Sequence, residues 1–190
     1  MDNNSRSERT RNAVLEAALT IIVRDGPNRL TLDAIVRESG ISKGGLMHQF
    51  PSKEAVLKAL LDRQTEHFGK FSADYREKNG RDKAQPELAT QIATLREAMS
   101  TKHTIAAAIL GAMVQDPGMM APLREKDAKH VEAIKAEAPD PDLALLRWLA
   151  ARGMVFTALM GHCPLSDEDR DRLFARLLDD HQWERVPRAH

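Results

Sequence analysis

The side chains between Thr31 and Leu57, in the run TLDAIVRESGISKGGLMHQFPSKEAVL, are donors, small residues and one thioether rather than a nucleophile with its base. Lys43, His48 and Lys53, with the hydroxyls of Thr31 and Ser42, can anchor phosphate oxygens. Lys43, Gly44, Gly45, Met47 and Gln49 can face base edges. The two glycines permit close backbone approach, Gln49 offers a donor and an acceptor, and Met47 offers an apolar contact for a thymine methyl. Lys53 falls in the first turn of a helix, where its ammonium and the free backbone N–H groups can hold one phosphate together. This is the chemistry of gripping duplex DNA.

Such groups need elements that hold them in place. Thr31 is a good N-cap, and Asp33 sits where the helix dipole favours an acid. Leu32, Ile35 and Val36 fall on one face. Gly40 stands at the position that often turns left-handed, so the chain bends there. Ile41 can plug the angle, Ser42 can cap the next helix, and Leu46 and Phe50, four apart, give it an inward face. Pro51 ends that helix and Ser52 caps another. Two short helices set at an angle by a glycine turn outline a helix-turn-helix. Each fragment alone is also ordinary capping chemistry for a helical hairpin in a core.

The whole run is more specific. Thr31-Leu32, Ile35, Gly40-Ile41-Ser42-Lys43-Gly44, Leu46, His48, Phe50 and Pro51-Ser52-Lys53-Glu54-Ala55 resemble the N-terminal DNA-binding domain of the TetR family of bacterial transcriptional regulators. Two positions depart from the family habit. Members commonly carry Thr or Ser where Gly45 stands, and an aromatic, usually Tyr, where Met47 stands and again near Gln49. A contact made by a tyrosine hydroxyl therefore does not carry over.

The chain has 190 residues and equal numbers of basic and acidic side chains, 28 of each. Residues 1–60 hold nine Lys/Arg against seven Asp/Glu, and the rest hold 19 against 21, so the asymmetry has the sign a DNA binder needs but is small. Local placement of cations matters more than the sum. No apolar run approaches the ~20 residues of a membrane span, and MDNNSRSERT has no signal-peptide core, so the expected compartment is the cytoplasm. Cys163 is the one cysteine. It excludes an intramolecular disulfide and a Cys-rich zinc site, and a buried small hydrophobe is its expected role. His67, His103, His162 and His181 have no helical ligand spacing with supporting carboxylates, so no metal and no cofactor is assigned. Cys163 beside His162 lacks a third orienting group, and no Gly-rich phosphate cradle exists, which argues against an enzyme.

In chain order the pattern predicts nine helices and no strand, an all-α chain. Residues 1 to about 6 are polar and expected to be loose. A first helix over Ser7 to Asp25 carries Val14, Leu15, Ala18, Ile21 and Ile22 on one stripe and stops at Gly26-Pro27. Its basic start, Arg6, Arg9 and Arg11, can touch DNA or stand in solvent. From Ser52 the helical pattern runs to Asn79-Gly80, a rod of roughly 40 Å that can join two domains. Helices are then expected from Pro86, over His103 to Gln115, over Met119 to Ala138 at the surface, from Pro141 to about Met160, and after Ser166. The Pro141 helix is apolar nearly all round and must be covered on every side. This organisation gives a helix-turn-helix domain over 7–51 and a helical bundle for effector binding and dimerisation over 52–181.

The resemblance implies a homodimer on a palindromic double-stranded operator, with the last two helices of each subunit at the interface. Leu145, Trp148, Ala151, Leu173 and Leu177 are the candidate interface residues, and a face with Leu143, Leu146 and Ala150 is open beside them. It also implies a pocket for a small effector, for which Phe68, Phe71, Met99, His103, Met113, Met120, Met154 and Phe156 are candidates. Methionines adapt to irregular apolar shapes, so an apolar or amphipathic ligand suits them. A repressor released by such an effector is the leading reading. A DNA-bound regulator or activator controlled by a protein partner is the other.

Overall fold

The computed structural model describes residues 3–100, 118 and 121–183. Among the described residues there are eight α-helices and no strand: α1 Asn3–Asp25, α2 Leu32–Ser39, α3 Lys43–Gln49, α4 Lys53–Asn79, α5 Pro86–Ser100, α6 Ala121–Glu137, α7 Pro141–Leu159 and α8 Asp167–Leu178. The ninth expected helix, over His103 to Gln115, lies outside the described residues. The chain divides into two compact units, one holding residues 3–66 and the other residues 67–100 and 122–183. The expected 7–51 and 52–181 division would put all of α4 in the second unit, whereas its first turns pack in the first.

In the first unit α1 begins at Asn3, earlier than the apolar stripe implies. In this first part of the helix Arg9 Nε donates to the Ser5 carbonyl at 3.1 Å and Thr10 Oγ1 to the Arg6 carbonyl at 3.0 Å. The expected stripe, Val14, Leu15, Ala18, Ile21 and Ile22, is buried against Leu30, Ile35, Leu46, Phe50, Val56, Leu57 and Leu60. Gly26 takes φ +86°, ends α1 and turns the chain toward α2. Arg24 then ties the end of α1 to α2, donating to Glu38 at 2.9 Å and to Asp25. These bonds raise the Arg24 guanidinium above its ordinary value and hold the Asp25 carboxyl below its own.

In the second unit α5, α6, α7 and α8 close a core of Leu88, Ile92, Ile134, Trp148, Ala151, Val155, Phe174 and Leu177. Two caps written in the sequence form as expected, one of them followed by a first-turn proline. Asp140 accepts from Leu143 N, Pro141 opens α7, and Ser166 accepts from Asp169 N at 3.1 Å. The buried Arg147 closes the end of α8: it donates to the Leu177 carbonyl at 2.6 Å, reaches Asp180 at 3.3 Å and lies 5.3 Å from the Trp183 ring centroid. Burial lowers its basicity, and the Asp180 carboxylate opposes that.

The fold corrects one expectation about this unit. Trp148, Ala151 and Leu177, offered as interface residues, are buried inside the unit's own core, with Ala151 wholly inaccessible. A side chain so enclosed has no surface left for a second chain. Leu145 packs at the edge of the same core and Leu173 is half-buried. On its other side α7 is open among the described residues, as a helix with one face for its own core and another for a partner would be. Leu146, Leu149, Phe156 and Met160 are 64%, 55%, 53% and 48% exposed. Among the described residues no helix is long and apolar enough to cross a membrane.

Candidate nucleic-acid interface

The reading unit is built from three caps and one left-handed glycine. Thr31 is extended and its Oγ1 accepts from Ala34 N at 3.1 Å, which starts α2. Gly40 ends it at φ +67°, with its N–H on the Val36 carbonyl. Ser39 Oγ accepts from Ile41 N across the bend, and Ser42 Oγ accepts from Gly45 N at 3.2 Å to start α3. Ser52 Oγ repeats the device for α4, accepting from Ala55 N. The Glu54 carboxyl is held below its ordinary range by its own backbone N–H and by the Ser52 hydroxyl. The capping oxygens of Thr31 and Ser42 each use a lone pair internally, so the hydroxyl proton is the part left to donate to a phosphate oxygen, whereas Ser52 gives its proton to Glu54.

Helix α3 then has two distinct faces. Leu46 and Phe50 are buried, the Phe50 ring carrying the Arg11 guanidinium 5.0 Å from its centroid. Lys43, Gly44, Met47 and His48 are exposed, and Gly45 and Gln49 lie half-buried at the margins. Met47 is a large apolar side chain left 43% exposed on a seven-residue helix. A Cβ added at Gly44 would meet nothing within 4 Å, whereas one at Gly45 would stand 3.2 Å from Ile41 Cγ2 and Ser42 Oγ. Gly45 thus sits at the crowded inner edge of the turn and Gly44 on its open side. Met47, His48 and the Gly44 backbone share the outward side with Lys43.

Two of the candidate readers have internal partners that sequence reasoning missed. Lys43 Nζ lies 3.0 Å from Asp33 Oδ1, ten residues back and across the bend. Gln49 Nε2 donates to Ser7 Oγ at 2.7 Å, which brings the start of α1 against the end of α3. No local pattern marks a pair 42 positions apart. Lys53 is half-buried, and its ammonium lies 3.5 Å from the Pro27 carbonyl, at the outer limit of a hydrogen bond.

The effector candidates fare unevenly. Phe68 and Phe71 are half-buried on α4, with the Phe71 and Tyr75 rings stacked at 6.2 Å. Met99 and Met154 pack at the edge of the second core. Phe156 is 53% exposed, so it faces away from that core and lines no pocket within it. His103, Met113 and Met120 lie outside the described residues. A surface cleft in the first unit is lined by Arg24, Arg29, Arg37 and Glu38 among others, which is the wrong lining for an apolar ligand.

Cys163 is half-exposed instead of buried. Its thiol is pulled below its ordinary value by the Leu165 backbone N–H, then by Thr157, and less by Arg170. Among the described residues no group of three or more His, Cys, Asp or Glu side chains could hold a metal ion.

Comparison with known proteins adds a decisive observation to this geometry. Residues 14–60 match the model of bacterial regulatory proteins of the tetR family, and residues 87–181, half of the chain, match a tetracyclin repressor-like C-terminal domain. The chain belongs to the TetR family. Among curated relatives, the HTH-type transcriptional regulator SrpR of Pseudomonas putida is 37% identical over 57 residues, 30% of this chain and 27% of that one. The A-factor receptor protein of Streptomyces griseus is 32% identical over 65 residues, 34% of this chain and 24% of that one. The match thus spans about a quarter of the length of these relatives.

Solved structures extend the likeness in fold along the TetR chain. The multidrug binding protein EbrR, complexed with imidazole, aligns over 99% of this chain and 94% of its own with a TM-score of 0.59 at 18% identity. SCO7518 from Streptomyces coelicolor A3(2), a transcriptional regulator by its description, aligns over 90% and 98% with a TM-score of 0.63 at 15% identity. The chain is a transcriptional regulator of this family.

Proposed function

We propose that this TetR-family regulator is a homodimeric repressor that grips a palindromic operator through α3 and is released by a small apolar or amphipathic effector. The observation that carries the DNA reading is the division of α3 into a buried Leu46 and Phe50 face and an exposed face of Lys43, Gly44, Met47 and His48. An ordinary core hairpin has no reason to leave a methionine and a glycine outward on so short a helix. In the dimer the uncovered stripe of α7, Leu146, Leu149, Phe156 and Met160, meets its copy, and two heads then read two half-sites. The effector acts by favouring one spacing of the heads, so that DNA and effector weaken each other reciprocally. EbrR, described as a multidrug binding protein and solved with malachite green and with ethidium, shares this fold and supports a small aromatic effector of similar chemistry.

A salt titration of duplex binding tests the reading. Lys53→Ala weakens binding alike on all sequences and flattens the slope of log affinity against log salt by about one unit. Gln49→Ala changes sequence preference instead. A wild-type protein with no preference among duplexes selected from a random pool sinks the proposal. Thermal shift with malachite green and ethidium tests the effector arm, since a ligand at about 100 times its Kd stabilises the fold by roughly 2.7 kcal/mol.

A further inference from the structure

The bond between Gln49 Nε2 and Ser7 Oγ, 2.7 Å long, joins a candidate base reader on α3 to the first turns of α1. Gln49 is half-buried and Ser7 is exposed, so the bond stands at the rim of the reading face. A glutamine amide carries two N–H donors and a carbonyl oxygen with two lone pairs. Its terminal torsion is broad and roughly two-fold, so an unheld amide turns either edge outward. Which edge is outward decides the base, because adenine accepts at N7 and donates from N6 and so pairs with an N–H beside a carbonyl oxygen.

Resting on the DNA-binding reading above, we propose that Ser7 is a positioning residue for specificity: by bonding the Gln49 amide it restrains the amide plane and so sharpens the base preference of Gln49. The bond engages one amide proton and leaves Oε1 and the second N–H for the groove. Ser7 reads nothing itself. Its hydroxyl acts through Gln49, which gives the start of α1 a part in sequence choice besides any phosphate contact of Arg6 or Arg9.

The experiment is a selection of bound duplexes followed by competition binding of the full-length protein and its variants, read at the base step where Gln49→Ala flattens the wild-type preference. Ser7→Ala narrows the ratio between favoured and disfavoured bases at that step by about 2- to 10-fold, the worth of one neutral hydrogen bond. Ser7→Thr keeps a hydroxyl and restores the ratio. In a Gln49→Ala background Ser7→Ala has no further effect on it. Folding is not at risk, since alanine is the better helix former at an exposed position. An unchanged ratio in Ser7→Ala, an equal loss on every sequence, or an effect that persists without Gln49 overturns the inference while leaving the DNA reading intact. A wild-type protein that binds no duplex overturns both.

Discussion

Lys43 Nζ and Asp33 Oδ1 stand 3.0 Å apart, joining the start of α3 to the first turn of α2. Both side chains are about two-thirds exposed, so water and salt screen the pair and it contributes little to stability. Its weight falls on binding, because a phosphate must take Lys43 from a carboxylate on the same face. Asp33→Asn is therefore expected to raise affinity for all duplexes alike, by about two- to five-fold at low salt, with the gain fading as salt rises. Lys43→Ala in the Asp33→Asn protein removes the gain. Filter binding across a salt series checks both, and a sequence-dependent gain contradicts the phosphate role.

The glycines of α3 separate stability from reading. Gly44→Ala places a methyl in open space within a helix, and the propensity difference stabilises the fold by about 0.5–1 kcal/mol. The same methyl stands on the exposed face, so duplex binding weakens while the melting temperature rises. At Gly45 the added Cβ presses on Ser42 Oγ, the capping oxygen, and most of the propensity gain is lost. Gly40→Ala meets no neighbour but forces a side chain into φ +67° and destabilises by about 1 kcal/mol or more. Thermal melts should rank the three variants in that order.

The parts of this head that the sequence makes legible are local ones. Thr31, Ser42 and Ser52 cap because a hydroxyl lies three residues before an open N–H, and Gly40 turns because no Cβ opposes it. Pairings across the fold leave no such trace. Asp33 to Lys43, Ser7 to Gln49 and Arg24 to Glu38 depend on how helices cross, and spacing along the chain does not encode crossing. Which face of α7 its own core takes is illegible for a related reason. A helix apolar nearly all round has no period to say which face its own core takes, so Trp148 and Ala151 went inward and the stripe beside them stayed out.

Glu87 gives the second unit a dependence on acid. Its nearly buried carboxylate takes hydrogen bonds from His130 at 2.7 Å and Gln91 at 2.9 Å and an ion pair from Arg76 at 2.6 Å. The His130 bond, against the cost of burial, holds it below the ordinary value of 4.5. A depressed carboxylate contributes stability that is complete above its unfolded value and is lost as pH falls through its folded value. The melting temperature should fall in the wild type as pH drops below the ordinary carboxylate value of 4.5. Glu87→Gln is expected to melt lower near neutrality and to lose less of its stability across that acid window. Equal acid slopes in the two proteins would remove Glu87 from the account.

Leu146, Leu149, Phe156 and Met160 follow a spacing of three, seven and four along α7, the seam of a helix that packs against another helix. Four large apolar side chains between 48% and 64% exposed in one line form a patch that a stable surface rarely leaves open. Leu149→Glu puts a charge in the middle of that line without touching the core, since Trp148, Ala151 and Val155 face the other way. If the seam pairs two copies, sedimentation finds the wild type dimeric and Leu149→Glu monomeric. The monomer should still unfold cooperatively, and it should bind a single half-site about as well as the palindrome, because the second head no longer adds its contacts. Trp148→Ala behaves differently, losing about 3–5 kcal/mol of fold stability by opening a cavity in the core. A Leu149→Glu protein that remains a dimer places the interface elsewhere on the chain.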